Sequence, residues 1–379
     1  MQKLLYLKLS SFYLFYFAYL GAFAPFFALY LKAEGMTAVE IGVLMASPQF
    51  TRIIAPHLWG WLADRGGHRL RIVRLSGLAG TVVFAAVFWS HSFTALFAVL
   101  LGMTFFWSAA LPLVEATTLS HLGDELGRYG RIRVWGSVGF ILAVVGVGYL
   151  LDRMAPAALL WVILLLMTGM LVQAMLLQER PVEPHPGDHV PVWHIVRQPA
   201  VIAIIVASAC LAAAHGPYYT FYTIHLVNHG YAKALAGWLW ALGVVCEIGI
   251  FVWMSRLYRA FTLRTILIAS ALLAALRFVM IGWGAESVTV LLLAQTLHAA
   301  SFGSFHAAAI GVIHKLFRGR HQARGQAIYG SLAYGIGGAI GGLASGYAWS
   351  GLGPVWTFTL GAACALLAAA ALWKGLRDL

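Results

Sequence analysis

The sequence predicts an all-α membrane protein: twelve transmembrane helices in two pseudo-symmetric six-helix bundles. Three observations carry that prediction. Of 379 residues, 61% are hydrophobic and 10% charged, whereas a soluble domain has about 25% charged residues. Apolar runs long enough to cross a bilayer, about 20 residues each, recur from end to end. Lys and Arg gather in every second connection between those runs. A soluble enzyme, a disordered chain and a nucleic-acid binder are excluded, because too little charge remains to coat a water-facing surface.

The runs fall at about 9–31, 39–63, 72–90, 93–121, 130–151, 157–178, 199–228, 233–257, 262–284, 287–316, 323–349 and 353–374. The formal net charge of +12 is spread unevenly among them. Lys32, Arg153 and Lys233 lie on one side, Arg52 and Arg277 lie inside runs, and every other Lys and Arg lies on the side shared by both termini. The positive-inside rule assigns that side to the cytoplasm. The basic balance is therefore topology rather than a sign of nucleic acid. Cys210, Cys246 and Cys364 all fall inside runs, without metal or disulfide spacing, and read as small buried hydrophobes.

The first run carries Tyr16, Tyr19, Phe23, Phe26, Phe27 and Tyr30, at spacings that put aromatics on one helical face. It lacks a small-residue cleavage site and is expected to remain in the mature protein. The second run ends in Gly60-Trp61-Leu62-Ala63-Asp64-Arg65-Gly66-Gly67-His68-Arg69-Leu70-Arg71. There Gly60 is expected to permit close helix approach, Asp64 to accept hydrogen bonds and the glycine pair to form a tight turn. Glu115 lies in the fourth run and Arg133 at the edge of the fifth, so the turn between them can bring the two charges to one depth. Such a pair can orient a polar or anionic ligand.

Between the sixth and seventh runs, Gln178–Gln198 holds four prolines among acidic residues, a density that blocks helix continuation. It divides the chain into a first bundle, 1–178, a cytoplasmic linker, 179–198, and a second bundle, 199–379. A short echo supports duplication: Gly136-Ser137-Val138-Gly139 opens the fifth run and Gly330-Ser331-Leu332-Ala333 lies in the eleventh.

The second half concentrates the intramembrane charge. Each ionisable side chain there costs about 2.5–3.5 kcal/mol on insertion scales and is a functional candidate by default. The seventh run has Tyr218, Tyr219, Phe221 and Tyr222, the eighth Glu247, the ninth Arg277 and the tenth His298 and His306. An acid, a base and an imidazole at one depth on successive helices form a candidate proton-coupling cluster. His298 and His306 are separated by about 12 Å and about 80° on a regular α-helix, which prevents them from sharing a metal.

The Gly60–Arg71 segment resembles the loop signature of the major facilitator superfamily. Four further segments resemble its lactose permease branch: Ala22-Phe23-Ala24-Pro25-Phe26-Phe27, Pro112-Leu113-Val114-Glu115, Tyr129-Gly130-Arg131-Ile132-Arg133 and Gln295-Thr296-Leu297-His298. Tyr129-Gly130-x-x-Arg133-x-Trp135-Gly136-Ser137, Gly243-Val244-Val245-x-Glu247 and His215-x-x-Tyr218-Tyr219-x-Phe221 are similar to bacterial 3-phenylpropionate permease relatives within that branch. The resemblance implies a conformational latch at Gly60, Asp64, Arg65, Gly67 and Arg69. It implies substrate contact at Glu115 and Arg133, and substrate and proton chemistry at Glu247, Arg277 and His298. Two positions depart from lactose permease: Ser301 replaces its proton-carrying Glu, and Phe140 its sugar-stacking Trp.

The resulting expectation is a secondary active transporter, a proton-coupled symporter of a small aromatic carboxylate acting by alternating access. Glu115, Arg133, Phe140, Tyr19, Phe23, Tyr218, Tyr219 and Tyr222 are its expected substrate contacts, and Glu247, Arg277, His298 and His306 its coupling residues. No cofactor or metal is expected; the coupling ion is the proton. The chain is expected to be a multi-pass monomer in a bacterial inner membrane, with both termini cytoplasmic. A sugar or nucleoside symporter and an exporter are the alternatives within transport. A membrane enzyme lacks a nucleophile–base arrangement, and a sensor lacks a soluble signalling domain.

Overall fold

A backbone surrounded by lipid must satisfy its own hydrogen bonds, which a helix does within one segment. The computed structural model accordingly contains only helices and their connections among its described residues: 3–123, 125, 128–179, 192–318 and 321–377, without the side chains at 64, 66 and 323. In chain order the first helices are α1 (Lys3–Ala33), α2 (Ala38–Gly66), α3 (Arg69–Ala85), α4 (Phe93–Trp107), α5 (Ala110–Leu122), α6 (Tyr129–Arg153) and α7 (Ala158–Leu176). After a single turn, α8 (Trp193–Val196), follow α9 (Pro199–Ala214), α10 (Gly216–Asn228), α11 (Lys233–Ala260), α12 (Leu263–Trp283), α13 (Val288–Thr296), α14 (Phe305–Leu316), α15 (Gln322–Tyr329), α16 (Gly337–Leu352) and α17 (Pro354–Gly375).

Several of these join into longer rods. Among the described residues, eleven rods are long and apolar enough to cross a membrane. Helix α2 is not among them, because Glu40, Arg52, Asp64 and Arg65 lower its hydropathy. Arg52 lies inside α2, within the expected run, with its side chain exposed. Helix starts are capped by side chains: Thr37 and Glu40 cap α2 reciprocally, with Glu40 Oε2 accepting from the Thr37 amide at 2.8 Å and the Glu40 amide donating to Thr37 Oγ1 at 3.3 Å. Ser92, Thr262 and Ser287 accept from amides at the starts of α4, α12 and α13.

Two spans break where proline removes an amide donor. Pro112 cannot bond the Ser108 carbonyl, and the fourth span divides there into α4 and α5; Pro217 follows the break at His215 between α9 and α10. The tenth and eleventh spans instead widen into π-helical turns at Ala299–Ser304 and Gly330–Ile336. Such turns are rare and are frequently found at functional sites.

The described chain forms two compact units, 1–36 with 50–187 and 37–49 with 188–379. In the first, α1 packs on α6 and α7, and α3 packs on α4, α5 and α7. The approach of α1 to α6 needs glycine: a Cβ on Gly21 would stand 2.5 Å from the Phe140 carbonyl oxygen, and one on Gly139 would collide with the Leu14 carbonyl. In the second unit, α17 packs on α9 and α12, and α16 packs on α9 and α10. Residues 37–49, the first part of α2, belong to this unit because α16 carries Gly338, Gly342 and Gly346 one turn apart. A Cβ on Gly338 would stand 3.0 Å from Gln49, and one on Gly346 would lie 2.8 Å from the Ala38 carbonyl. Small residues at four-residue spacing let helix backbones approach closely.

Candidate functional site

The first unit brings together the acid–arginine pair expected from the turn between the fourth and fifth spans. Arg133 Nε lies 3.8 Å from Glu115 Oε1, and the Tyr129 hydroxyl donates to the same oxygen at 3.0 Å. Gly136, one turn above Arg133, leaves room for the guanidinium, since a Cβ there would meet Arg133 Nη1 at 2.8 Å. The guanidinium lies over the Phe17 ring at 3.9 Å, a cation–π arrangement. Both charged side chains remain about one-third exposed.

The α1 aromatics are buried as a ladder. Tyr19 stacks on Phe23 at 5.5 Å and meets Trp107 at 4.0 Å, while Tyr16 stacks on Trp107 at 5.0 Å and 16°. The Tyr19 hydroxyl contacts Met103 Sδ at 3.4 Å. Trp107, which the sequence did not single out, completes this ladder from α4; its signal was only a Trp near a span centre. Phe140 contributes its backbone to the Gly21 crossing, and its ring joins none of the aromatic pairs among the described residues.

The second unit assembles the other charges. Arg277 on α12 is fully buried. Its hydrogen bonds go to neutral oxygens, Ser301 Oγ at 3.3 Å and Gln295 Oε1 at 3.4 Å, and its guanidinium lies 4.1 Å from the Tyr218 ring centre. The Tyr218 hydroxyl donates to Gln295 Oε1 at 3.1 Å. Around this centre Arg277 Nε, Gln295 Nε2, Tyr222 Oη and His298 Nδ1 are buried without a hydrogen-bond partner among the described residues. Tyr219 is half-buried beside Tyr218 and Trp240. Gln295 was missed as a site residue because a neutral amide in an apolar run carries no charge signal, although burial makes it costly unless bonded.

On α11, Glu247 Oε2 lies 3.5 Å from His298 Nε2. Two glycines make the approach possible: a Cβ on Gly303 would stand 3.1 Å from Glu247 Cγ, and one on Gly243 would stand 3.2 Å from the His298 ring. The π turn corrects the expected divergence of His298 and His306. A π turn holds more residues than an α turn, which removes part of the angular drift. The rings of His298, Phe302 and His306 stack in sequence at 5.5 and 6.0 Å, within 6° of parallel. His306 Nδ1 then lies 2.8 Å from the Tyr334 hydroxyl, contributed by the other π segment. Among the described residues, no group of three or more His, Cys, Asp or Glu is placed to hold a metal.

In the Gly60–Arg71 segment, Gly67 has φ +63° and caps α2, its amide donating to the Ala63 carbonyl at 3.0 Å. Arg65 lies over Trp61 at 5.0 Å, and Arg69 Nη1 donates to Ser120 Oγ at 3.4 Å. Gly60 does not serve a close approach, since a Cβ there would meet nothing within 4 Å. The Asp64 side chain lies outside the described residues. The three cysteines are free and half-buried.

Known proteins resemble this chain in sequence and in fold. The chain is 28% identical over 362 residues to the "Probable 3-phenylpropionic acid transporter" of Escherichia coli K12, covering 92% of this chain and 93% of that one. It is 35% identical over 155 residues to a maltose permease of Geobacillus stearothermophilus, covering 40% and 38%. The crystal structure of a D323A variant of the nucleoside transporter NupG superposes with a TM-score of 0.89 at 17% identity, over 98% of this chain and all of that one. Residues 6–360 match the model of the MFS_1 like family. With two helical units, buried intramembrane charge and that match over nearly its full length, the chain belongs to the MFS_1 like family and is a membrane transporter, not an enzyme.

Proposed function

We propose that the protein is a proton-coupled symporter of a small aromatic carboxylate. The observation that carries this reading is Arg277, a fully buried guanidinium whose hydrogen bonds all go to neutral oxygens. A buried charge is costly unless paired, and an anionic substrate supplies the missing counter-charge. The unpaired Arg277 Nε, Gln295 Nε2 and Tyr222 hydroxyl are donors suited to carboxylate oxygens, and the half-buried Tyr219 beside them offers its ring to an aryl group. Arg133, in contrast, already faces the Glu115 carboxylate and is the less available counter-charge. The name of the Escherichia coli relative agrees with an arylalkanoate.

Glu247 and His298 carry the coupling proton beside this centre, with His306 next along the stacked rings. Binding of the carboxylate at Arg277 changes the field at Glu247 and His298, which links protonation to occupancy. Alternating access then moves the loaded site from one face of the bacterial inner membrane to the other, in a monomer with both termini cytoplasmic. The test is uptake of radiolabelled 3-phenylpropionate into proteoliposomes under an imposed inward proton gradient. Accumulation that collapses with a protonophore supports both substrate class and coupling. A sugar or nucleoside is the second reading, favoured by the maltose permease match. Uptake of those solutes with none of 3-phenylpropionate would transfer the function to it.

A further inference from the structure

The second unit contains a basic groove away from the buried charges. It is an open groove of about 810 Å³ lined by the end of α11, the α11–α12 connection and α14. Arg259, His314 and Lys315 supply its positive charge, Tyr258 and Phe261 its aromatic rim, and none of its lining residues is acidic. Its floor is apolar, lined by Leu263, Ala307, Ile310 and Gly311, and a Cβ on Gly311 would already touch the Leu263 side chain at 3.4 Å.

The chain supplies little counter-charge in this region. Between Glu247 and Asp378 the only carboxylate is Glu286, whereas Arg256, Arg259, Arg264, Lys315, Arg318, Arg320 and Arg324 fall in the same stretch. Several are already engaged by aromatics or carbonyls: Arg256 lies over Trp253 at 5.0 Å, and Arg264 lies over Trp373 at 4.9 Å while donating to that residue's carbonyl. These same aromatics are exposed, Trp253 at 57%, Phe261 at 54% and Trp373 at 60%. Exposed Trp, Tyr and Phe beside basic side chains mark the headgroup level of a membrane protein. Basic pockets between helices at that level bind anionic headgroups.

We propose that this groove binds the phosphate of an anionic phospholipid. Arg259 and Lys315 hold the phosphodiester oxygens, His314 borders the headgroup, and Phe261, Ile310 and Leu263 receive the start of an acyl chain. A free phosphate ion offers the same oxygen chemistry but leaves the apolar floor unused, so the lipid is the occupant to which the observations point. Nothing in this site depends on the transport reading.

The test is native mass spectrometry of the purified protein in detergent, titrated with phosphatidylglycerol, phosphatidylcholine or inorganic phosphate. For the double variant Arg259→Gln/Lys315→Gln we expect phosphatidylglycerol affinity to fall by about 25-fold, from the contribution of two basic side chains near an anionic surface. The double variant Arg256→Gln/Arg318→Gln removes equal charge at positions outside the groove lining, and its affinity should fall less than about threefold. Gly311→Leu fills the floor without changing charge and should also weaken phosphatidylglycerol binding, which keeps the test decisive should the charge variant misfold. Equal losses in both double variants would overturn the site in favour of diffuse charge. Equal binding of phosphatidylcholine, or displacement of phosphatidylglycerol by millimolar phosphate, would overturn the lipid assignment.

Discussion

Arg277 and Arg133 are the same side chain in opposite circumstances. Arg133 is one-third exposed and faces a carboxylate at 3.8 Å; Arg277 is sealed among neutral oxygens. Their replacements should therefore differ. Lys cannot reproduce the planar fork that spans two acceptors. Arg277→Lys should lower 3-phenylpropionate uptake at least about tenfold, the equivalent of losing one charge-assisted hydrogen bond. Binding measured by thermal shift should weaken in parallel, and unchanged binding would remove Arg277 from the substrate. Glu247→Gln tests the other half of the centre. It should abolish gradient-driven uptake while counterflow exchange persists, because exchange needs no net proton movement. Loss of both to the same degree would make Glu247 a binding residue.

Among the elements, the decisive ones are those in which a helix departs from regularity or two helices touch without side chains between them. The π turn at Ala299–Ser304 brings the His298, Phe302 and His306 rings into one stack, and Gly303 within it lets α11 approach. Gly303→Val would push against Glu247 Cγ and Ile250 and should separate Glu247 from His298. The expected result is loss of proton-driven uptake beyond what the stability change explains. Gly139→Val serves as the purely architectural comparison. Its side chain would press into the α1 backbone at Leu14, an overpacking cost of about 1–3 kcal/mol. It should appear as a lower unfolding temperature in detergent without altered coupling in the surviving folded protein.

At the scale of the molecule, the distribution of Lys and Arg makes a topological prediction. In a background lacking Cys210, Cys246 and Cys364, a cysteine at Arg71 should react with a membrane-impermeant maleimide only after the cells are permeabilised. One at Lys32 should react in intact cells. The reverse pattern would invert the proposed orientation. Asp64→Asn, in the loop that shares its resemblance with the superfamily, should slow turnover with little effect on substrate affinity. Weakened affinity alone would contradict a latch.

How much of this was legible beforehand depends on which physical signal each feature leaves in one dimension. The apolar runs and the alternation of basic connections are local and additive, so the sequence by itself determined the membrane class, the helix positions and the candidate charges Glu115, Arg133, Glu247, Arg277 and His298. It expected Gly60 to serve a close approach, yet no neighbour crowds it, because a glycine in a motif does not reveal its own environment. Trp107 left no distinctive mark, since an indole is ordinary in membrane helices, and Gln295 stood out only as part of the Gln295–His298 segment, since a neutral amide carries no charge signal. The tertiary structure alone decided that, among the described residues, Arg277 hydrogen-bonds to the neutral oxygens of Ser301 and Gln295, that a π turn aligns His298 with His306, and that the first part of α2 belongs to the second unit. Each of these depends on which helix faces meet and at what distance. Backbone contacts across glycines and a single widened turn set those distances, and neither leaves a periodicity that the sequence displays.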